Sequence, residues 1–289
     1  MTNLDLTGPN LDMKRQRKLR KNMLHVINTY YEPTEEAKKF YGQLKSQNTQ
    51  TILMNSGNLD KEAEWNKDNL TFETDFHDNI AHLNPHFCEM TAQYAIWKNL
   101  VLPPENEYIQ FSHYRKFLQL PKELTADIYA TNPYPMLFNV NGQKVCATIE
   151  SGTRYCHPSA SWEMLQWEIS QTCTFREWQR FNNWSRLAVM PAPMNLFAMK
   201  VGLFKEWCEW VFPKLFAIES RIPYDTEEYK TAYQKRAIAF IAERLFSFWC
   251  YNKVSTGTNL EEVPSFVKDG FKPLSDAVER KLEKNPFSK

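Results

Sequence analysis

The sequence predicts an α/β protein built on an open sheet, and three observations carry that reading. Two short apolar runs, MLHVIN from Met23 to Asn28 and TILMN from Thr51 to Asn55, read as covered strands with a helix-like stretch near Thr34 to Leu44 between them. Strand, helix, strand is how such sheets begin. Further on, a helix from Asn84 passes a Pro103-Pro104 break into a third strand pattern, Glu107 to Ser112, which ends at His113, Tyr114 and Arg115. Buried helices feeding strands that end in polar residues are the usual way this class builds a site beyond the carboxyl ends of its strands.

Composition sets the bounds. A chain of 289 residues with 43% hydrophobic content and 19 Phe can form a sizeable core, which excludes a disordered protein. Lys and Arg (35) nearly balance Asp and Glu (34), and this argues against a nucleic-acid binder, whose domain carries a net basic charge. No apolar run reaches the roughly 18 residues of a membrane span. The opening MTNLDLTGPN lacks the basic-then-apolar order of a secretory leader, so a cytoplasmic protein is expected. The six cysteines show no CxxC spacing and read as reduced, mostly buried thiols rather than zinc ligands.

Residues 1–21 form a polar arm ending in the basic cluster KRQRKLRK, Lys14 to Lys21. Its plain reading is a solvated charge run; its sharper one is peripheral contact with anionic lipid on the inner face of the membrane. The first strand leads into Thr29, Tyr30 and Tyr31, at the strand end where a nucleotide-facing loop or an ordinary connection would lie. Residues 61–83 are polar and irregular. Asn84 then reads as an N-cap with Pro85 at the first helical position, and Phe87, Met90, Thr91, Tyr94 and Trp97 share one helical face. Glu89 lies off that stripe and reads as a solvated residue near the positive end of the helix. Taken alone, His113-Tyr114-Arg115 is better read as a structural His beside a solvent-facing Arg than as a site.

Pro135 to Val140 (PMLFNV) reads as another strand. Trp162, Trp167, Phe175, Trp178, Phe181 and Trp184 punctuate a helical stretch from Pro158 to Arg186, where aromatics at helical spacing more often fill a core than stack on sugars. MNLFAM, Met194 to Met199, reads as a late strand leading into a helix from about Gly202 to Glu219. The final helix opens on Asp225 and Glu228, close to a capping box. Arg236, Phe240, Glu243 and Ser247 fall on one of its faces, as a satisfied ion pair or as charges beside a cleft. Residues 256–289 read as a surface extension of a 22–255 domain.

Four blocks, taken in order, resemble a bacterial glycosyltransferase family that is encoded in capsular and surface-polysaccharide clusters and catalogued as a domain of unknown function. They are NTYYEP; DNIAHLNPHFCEMTAQYAIWKN; HYRKFL; and NLFAMK, CEWVF and YQKRAIAFIAERL. The agreement runs from Met23 to about Val254. Gln93 and Ala95 depart from apolar or aromatic family positions, Lys116 stands for a second Arg, and the middle region, about 141–193, matches poorly.

The resemblance implies a GT-A-like single domain, a Rossmann-like mixed sheet flanked by helices, with a helical middle insertion on the acceptor side and long C-terminal helices. It implies transfer of a sugar from a nucleotide donor, UDP-linked as first choice and UDP-galactofuranose by analogy with some relatives, to a glycan or polyprenyl-linked acceptor. Donor contacts would come from Thr29, Tyr31, Asp78, Asn79, Asn84, His113, Tyr114, Arg115 and Arg236. Such folds commonly hold a divalent metal, Mn or Mg, on a D-x-D motif, and no D-x-D occurs in this sequence. The expectation is that Arg115, with His113, compensates the diphosphate charge, while a metal held by His113 and a nearby carboxylate stays open. Glu243, Asp225 and Glu89 are the candidate bases or hydroxyl ligands, with Glu243 first because its helix is otherwise largely apolar. A non-catalytic carbohydrate-binding or assembly component of the same pathway is the alternative, and transfer of a phosphoryl-type group is a third reading.

Overall fold

In a computed structural model the described residues are 23–28, 39, 51–55, 71–113, 116–132, 137–187 and 195–267. The basic arm, the helix expected near Thr34 to Leu44 apart from the helical Lys39, and the tail beyond 267 lie outside them.

The apolar runs become strands with the expected bounds, β1 (Met23–Asn28) and β2 (Thr51–Asn55). They are followed by the two-residue β3 (Thr71–Phe72) and by β4 (Tyr108–Ser112). β1 pairs in parallel with both β2 and β4, and β2 in parallel with β3. Every residue of β1 is buried, as expected of a parallel strand covered on both faces.

The sheet then changes direction. β9 (Phe197–Lys200) runs antiparallel between β4 and β6 (Ile128–Thr131), and β10 (Leu260–Val263) lies beside β6. The order is β10-β6-β9-β4-β1-β2-β3. Two small antiparallel pairs stand apart: β5 (Lys116–Leu118) with β11 (Ser265–Val267), and β7 (Leu137–Val140) with β8 (Gln143–Cys146). Asn141 (φ 52°) and Gly142 (φ 82°) close the second pair, the left-handed Asn-Gly turn whose twist suits a hairpin.

The helices are α1 (Asn84–Phe87), α2 (Met90–Asn99), α3 (Ile149–Cys156), α4 (Ser159–Thr172), α5 (Phe175–Leu187), α6 (Val201–Glu219), α7 (Ala232–Lys235) and α8 (Ala237–Ser255). α8 is apolar around most of its circumference, and so it lies inside the molecule. Phe246 on α8 stacks on Phe197 of β9 at 4.9 Å and meets Trp207 of α6 edge-on at 5.2 Å. Each such ring pair adds about 0.5–1.5 kcal/mol beyond the area it buries. Among the described residues no helix is long and apolar enough to cross a membrane.

Several expectations change. The helix from Asn84 is broken at Cys88 into α1 and α2. Asn84 is itself helical, and its side chain is spent inside the turn instead of capping it. Asp225 and Glu228 do not open the last helix: Thr231 caps α7 by accepting from the Gln234 amide at 3.1 Å, and α8 restarts after Arg236. The expected extension from Thr256 begins as sheet, because β10 satisfies the free edge of β6. Of the aromatic run, Trp162, Phe181 and Trp184 are core, while Trp167 and Phe175 are exposed.

Asp127 clamps the reversed half of the sheet. Its carboxylate accepts from Lys200 Nζ at the end of β9 and from the Asn259 amide at 2.9 Å just before β10. The Lys200 hydrogen bond, followed by that of Asn259, holds its carboxyl below the ordinary range. A group lowered in the folded state stabilises above its unfolded pKa, and that contribution is lost as pH falls through the folded value. Asp127→Asn is expected to cost about 1 kcal/mol at pH 7. Melting curves of parent and variant from pH 7 to pH 2 should converge at the acid end, and a gap independent of pH would refute the clamp.

Candidate functional site

The helix break at Cys88 is the local event that builds the site. Cys88 sits at φ 47°, ψ −129°, a conformation that costs a residue with a Cβ about 1–3 kcal/mol and persists only where the surroundings hold it. Asn84 Nδ2 donates to the Cys88 carbonyl at 3.0 Å and to Thr91 Oγ1 at 2.9 Å. The Thr91 hydroxyl lies 2.8 Å from both the Cys88 carbonyl and Glu73 Oε1, so its one proton serves one of them. Arg236 Nε donates to Cys88 Sγ at 2.9 Å from the break between α7 and α8. Burial, with Glu89 beside it, pushes the Cys88 thiol up to about 12, so the sulfur meets Arg236 as a neutral acceptor.

The turn places Glu89 at the start of α2, 9% exposed. The solvated role expected of it is therefore corrected. Glu89 Oε1 accepts from Asn195 Nδ2 at 3.0 Å and lies 3.7 Å from His113 Nε2. His113 directly follows β4, and Asn195 stands two residues before β9. Since Phe111 of β4 pairs with Phe197 of β9, strand register brings these two residues to the same end of the sheet. That end is the carboxyl end of the parallel strands, where open α/β sheets bind ligands.

Glu243 completes the group from α8, with a side chain 17% exposed. Its carboxylate accepts from Arg244 Nη1 at 2.9 Å. Burial raises the Glu243 carboxyl above the ordinary range against the opposing pull of Arg244, and Glu89 adds to the rise while Lys116 and Arg236 oppose it. Arg244 is itself fixed: it donates from Nε to Thr153 Oγ1 at 3.2 Å and from Nη1 to the Phe240 carbonyl at 3.0 Å, with Nη2 3.4 Å from His157 Nε2. The His157 ring stacks on Phe240 at 3.9 Å. Arg244, Lys116 and Arg236 thus all act on the Glu243 carboxylate, and Arg236 lies in the field of Glu89 as well, so fixed cations gather where an anionic ligand would be drawn.

The structure therefore brings together Glu89, His113, Arg236 and Glu243 from the residues named in the sequence. Asn84 supports the turn and is 4% exposed. Asp78 and Asn79 serve local structure: Asp78 accepts from Tyr94 Oη at 2.9 Å, and Asn79 bridges the Phe76 carbonyl and the Ala81 amide. Asp225 lies in an exposed turn, and among the described residues none of the cluster's hydrogen bonds or ion pairs reaches it. Thr29, Tyr31, Tyr114 and Arg115 lie outside the described residues. Sequence reasoning passed over Cys88, Lys116, Asn195 and Arg244. All four stand inside the motif blocks, and that is their one available signal.

Among the described residues no group of three or more His, Cys, Asp or Glu side chains is arranged to hold a metal ion, and the Glu89 oxygen nearest His113 already accepts from Asn195. Elsewhere, a groove of about 500 Å³ between α5, α6 and α8, lined in part by Glu177, Arg180, Trp210, Trp249 and Lys253, gathers none of the sequence-predicted site residues.

Removing Arg244 leaves a half-buried carboxylate without its cation, a change that costs about 3–5 kcal/mol when a buried pair is broken from one side. Arg244→Met should lose stability on this scale in urea unfolding at pH 7, and adding Glu243→Gln should recover part of it. Strictly additive losses would mean that the pair does not act as a unit.

A search of curated proteins gives no match. Among solved structures, WbbM, described as a bifunctional glycosyltransferase in its apo form, aligns with a TM-score of 0.64 at 18% identity, over 86% of this chain and 46% of that one. The chain thus spans about half the length of that protein. At this identity the likeness shows a shared fold, and the GT-A-like α/β class expected from the sequence stands. Residues 37–254 match the family described as Domain of unknown function (DUF4422), and the chain belongs to that family.

Proposed function

We propose that the protein is a glycosyltransferase that moves a sugar from a nucleotide donor, UDP-linked as first choice, to a hydroxyl of a glycan or lipid-linked acceptor in bacterial capsule or surface-polysaccharide synthesis. The observation that carries this reading is the gathering of Glu243, Arg236 and Glu89, with His113 beside Glu89, at the carboxyl ends of the parallel strands. The fold shared with WbbM, whose described activity is glycosyl transfer, supports it.

In this reading the acceptor hydroxyl gives its proton to Glu243 as its oxygen bonds the anomeric carbon. The bond from that carbon to the donor diphosphate breaks, and the electron pair leaves with the nucleotide. A carboxyl raised by burial is a stronger base than an ordinary one. Arg236 faces the negative charge that develops on the leaving diphosphate, a fixed cation that needs no reorganisation during the step. Arg115, two positions after His113 in the sequence, is proposed for the same role.

The test is release of UDP from a panel of UDP-sugars, with and without EDTA. Turnover is expected, unchanged by EDTA. Glu243→Gln should lower it roughly 100-fold or more, within the usual range for a general base, while UDP affinity stays within a few-fold. Glycan binding without nucleotide binding would refute the enzyme reading and favour a non-catalytic component.

A further inference from the structure

Asn195 is unusual in three ways. It is 1% exposed. Its backbone is held at φ 49°, a left-handed conformation that Asn tolerates better than most residues with a Cβ but that still marks a constrained position. Its Nδ2 donates to Glu89 Oε1 while its own Oδ1 is buried and has no hydrogen-bond partner. A buried acceptor left unsatisfied costs about 1–3 kcal/mol, and in a native protein it calls for an explanation beyond packing.

The Glu89 carboxylate is held through one oxygen alone. Both polar contacts of its side chain among the described residues, Asn195 Nδ2 at 3.0 Å and His113 Nε2 at 3.7 Å, are made by Oε1. Oε2 makes none of those hydrogen bonds. Glu89 starts α2 without capping it, so helix geometry does not explain its burial. One oxygen is clamped from the end of β4 and the start of β9, and the other is left as an acceptor.

We infer that Asn195 is a positioning residue: its amide N–H fixes the Glu89 carboxylate so that Oε2 accepts a hydroxyl group of the bound sugar. The inference rests on the glycosyltransferase reading and adds to it the recognition of a sugar hydroxyl by a carboxylate oriented across two strands. The hydroxyl could belong to the donor's sugar or to the acceptor. A fixed carboxylate oxygen accepting a hydroxyl also discriminates, because a deoxy analogue would leave that oxygen desolvated and unpaired.

Asn195→Gly is the informative variant, because glycine adopts the positive φ without strain and only the amide is lost. Asn195→Gln and Glu89→Gln accompany it, and melting curves check that each folds. Calorimetry measures binding of UDP and of UDP-galactose, UDP-glucose and UDP-N-acetylglucosamine, using whichever sugar nucleotide the parent binds. UDP release measures the KM for methyl β-galactoside as acceptor.

Asn195→Gly and Glu89→Gln should each weaken the sugar nucleotide about 10- to 100-fold with UDP itself unchanged, and Asn195→Gln should recover part of the loss. That pattern assigns the donor's sugar. An unchanged UDP-sugar affinity with a KM for the methyl galactoside raised to the same extent assigns the acceptor. Equal weakening of UDP and UDP-sugar, or no change in either arm, overturns the inference while leaving the glycosyltransferase reading intact. A parent protein that binds neither UDP nor any UDP-sugar overturns that reading and the inference with it.

Discussion

The left-handed turn at Cys88 is the constraint on which the site depends. Periodicity would carry one helix from Asn84 to Asn99. Stopping it after one turn and restarting it at Met90 costs backbone strain and exposes the Cys88 carbonyl. Asn84 and Thr91 meet that carbonyl from either side of the break, and Arg236 reaches the thiol from a second interruption, between α7 and α8. Two broken helices therefore share one contact. Without the turn, Glu89 would follow the solvent face of a continuous helix and would not meet Asn195.

Strand direction supplies the rest. β9 is inserted antiparallel beside β4, so the start of one strand lies against the end of the other. His113 and Asn195, 82 positions apart in sequence, converge on a single oxygen of Glu89 for this reason. Arg244 draws in the middle region as well. It is held by Thr153 of α3 and lies against His157 just after that helix, and it holds Glu243 in turn. The helices beyond Asn141, expected from the sequence to lie on the acceptor side, are thereby coupled to the carboxylate proposed to take the acceptor's proton.

What the sequence made legible follows from range. β1, β2 and β4 are short apolar runs whose burial is a property of the run itself, and their bounds were readable. β3 has two residues and β10 reads LEEV, so neither carries a pattern, and both become strands only because a neighbouring edge is open. The break at Cys88 was hidden because apolar residues keep helical spacing on both sides of it. Glu89 looked solvated because its partner is supplied by a strand more than 100 residues away. Arg244 sits in a helix read for its apolar faces, where a buried Arg is detectable only once Thr153 and His157 are placed. The motif blocks drew attention to Glu243, Arg236 and His113, whereas which of them meet was decided by tertiary contacts.

The central claim is that a nucleotide binds where these broken helices and reversed strands converge. A structure of the protein with bound UDP tests it most directly. The account predicts the diphosphate within hydrogen-bonding distance of the Arg236 guanidinium, with Glu243 and Glu89 on the side where the sugar would stand. A nucleotide seated in the groove between α5, α6 and α8, or bound without contact to Arg236, would contradict it.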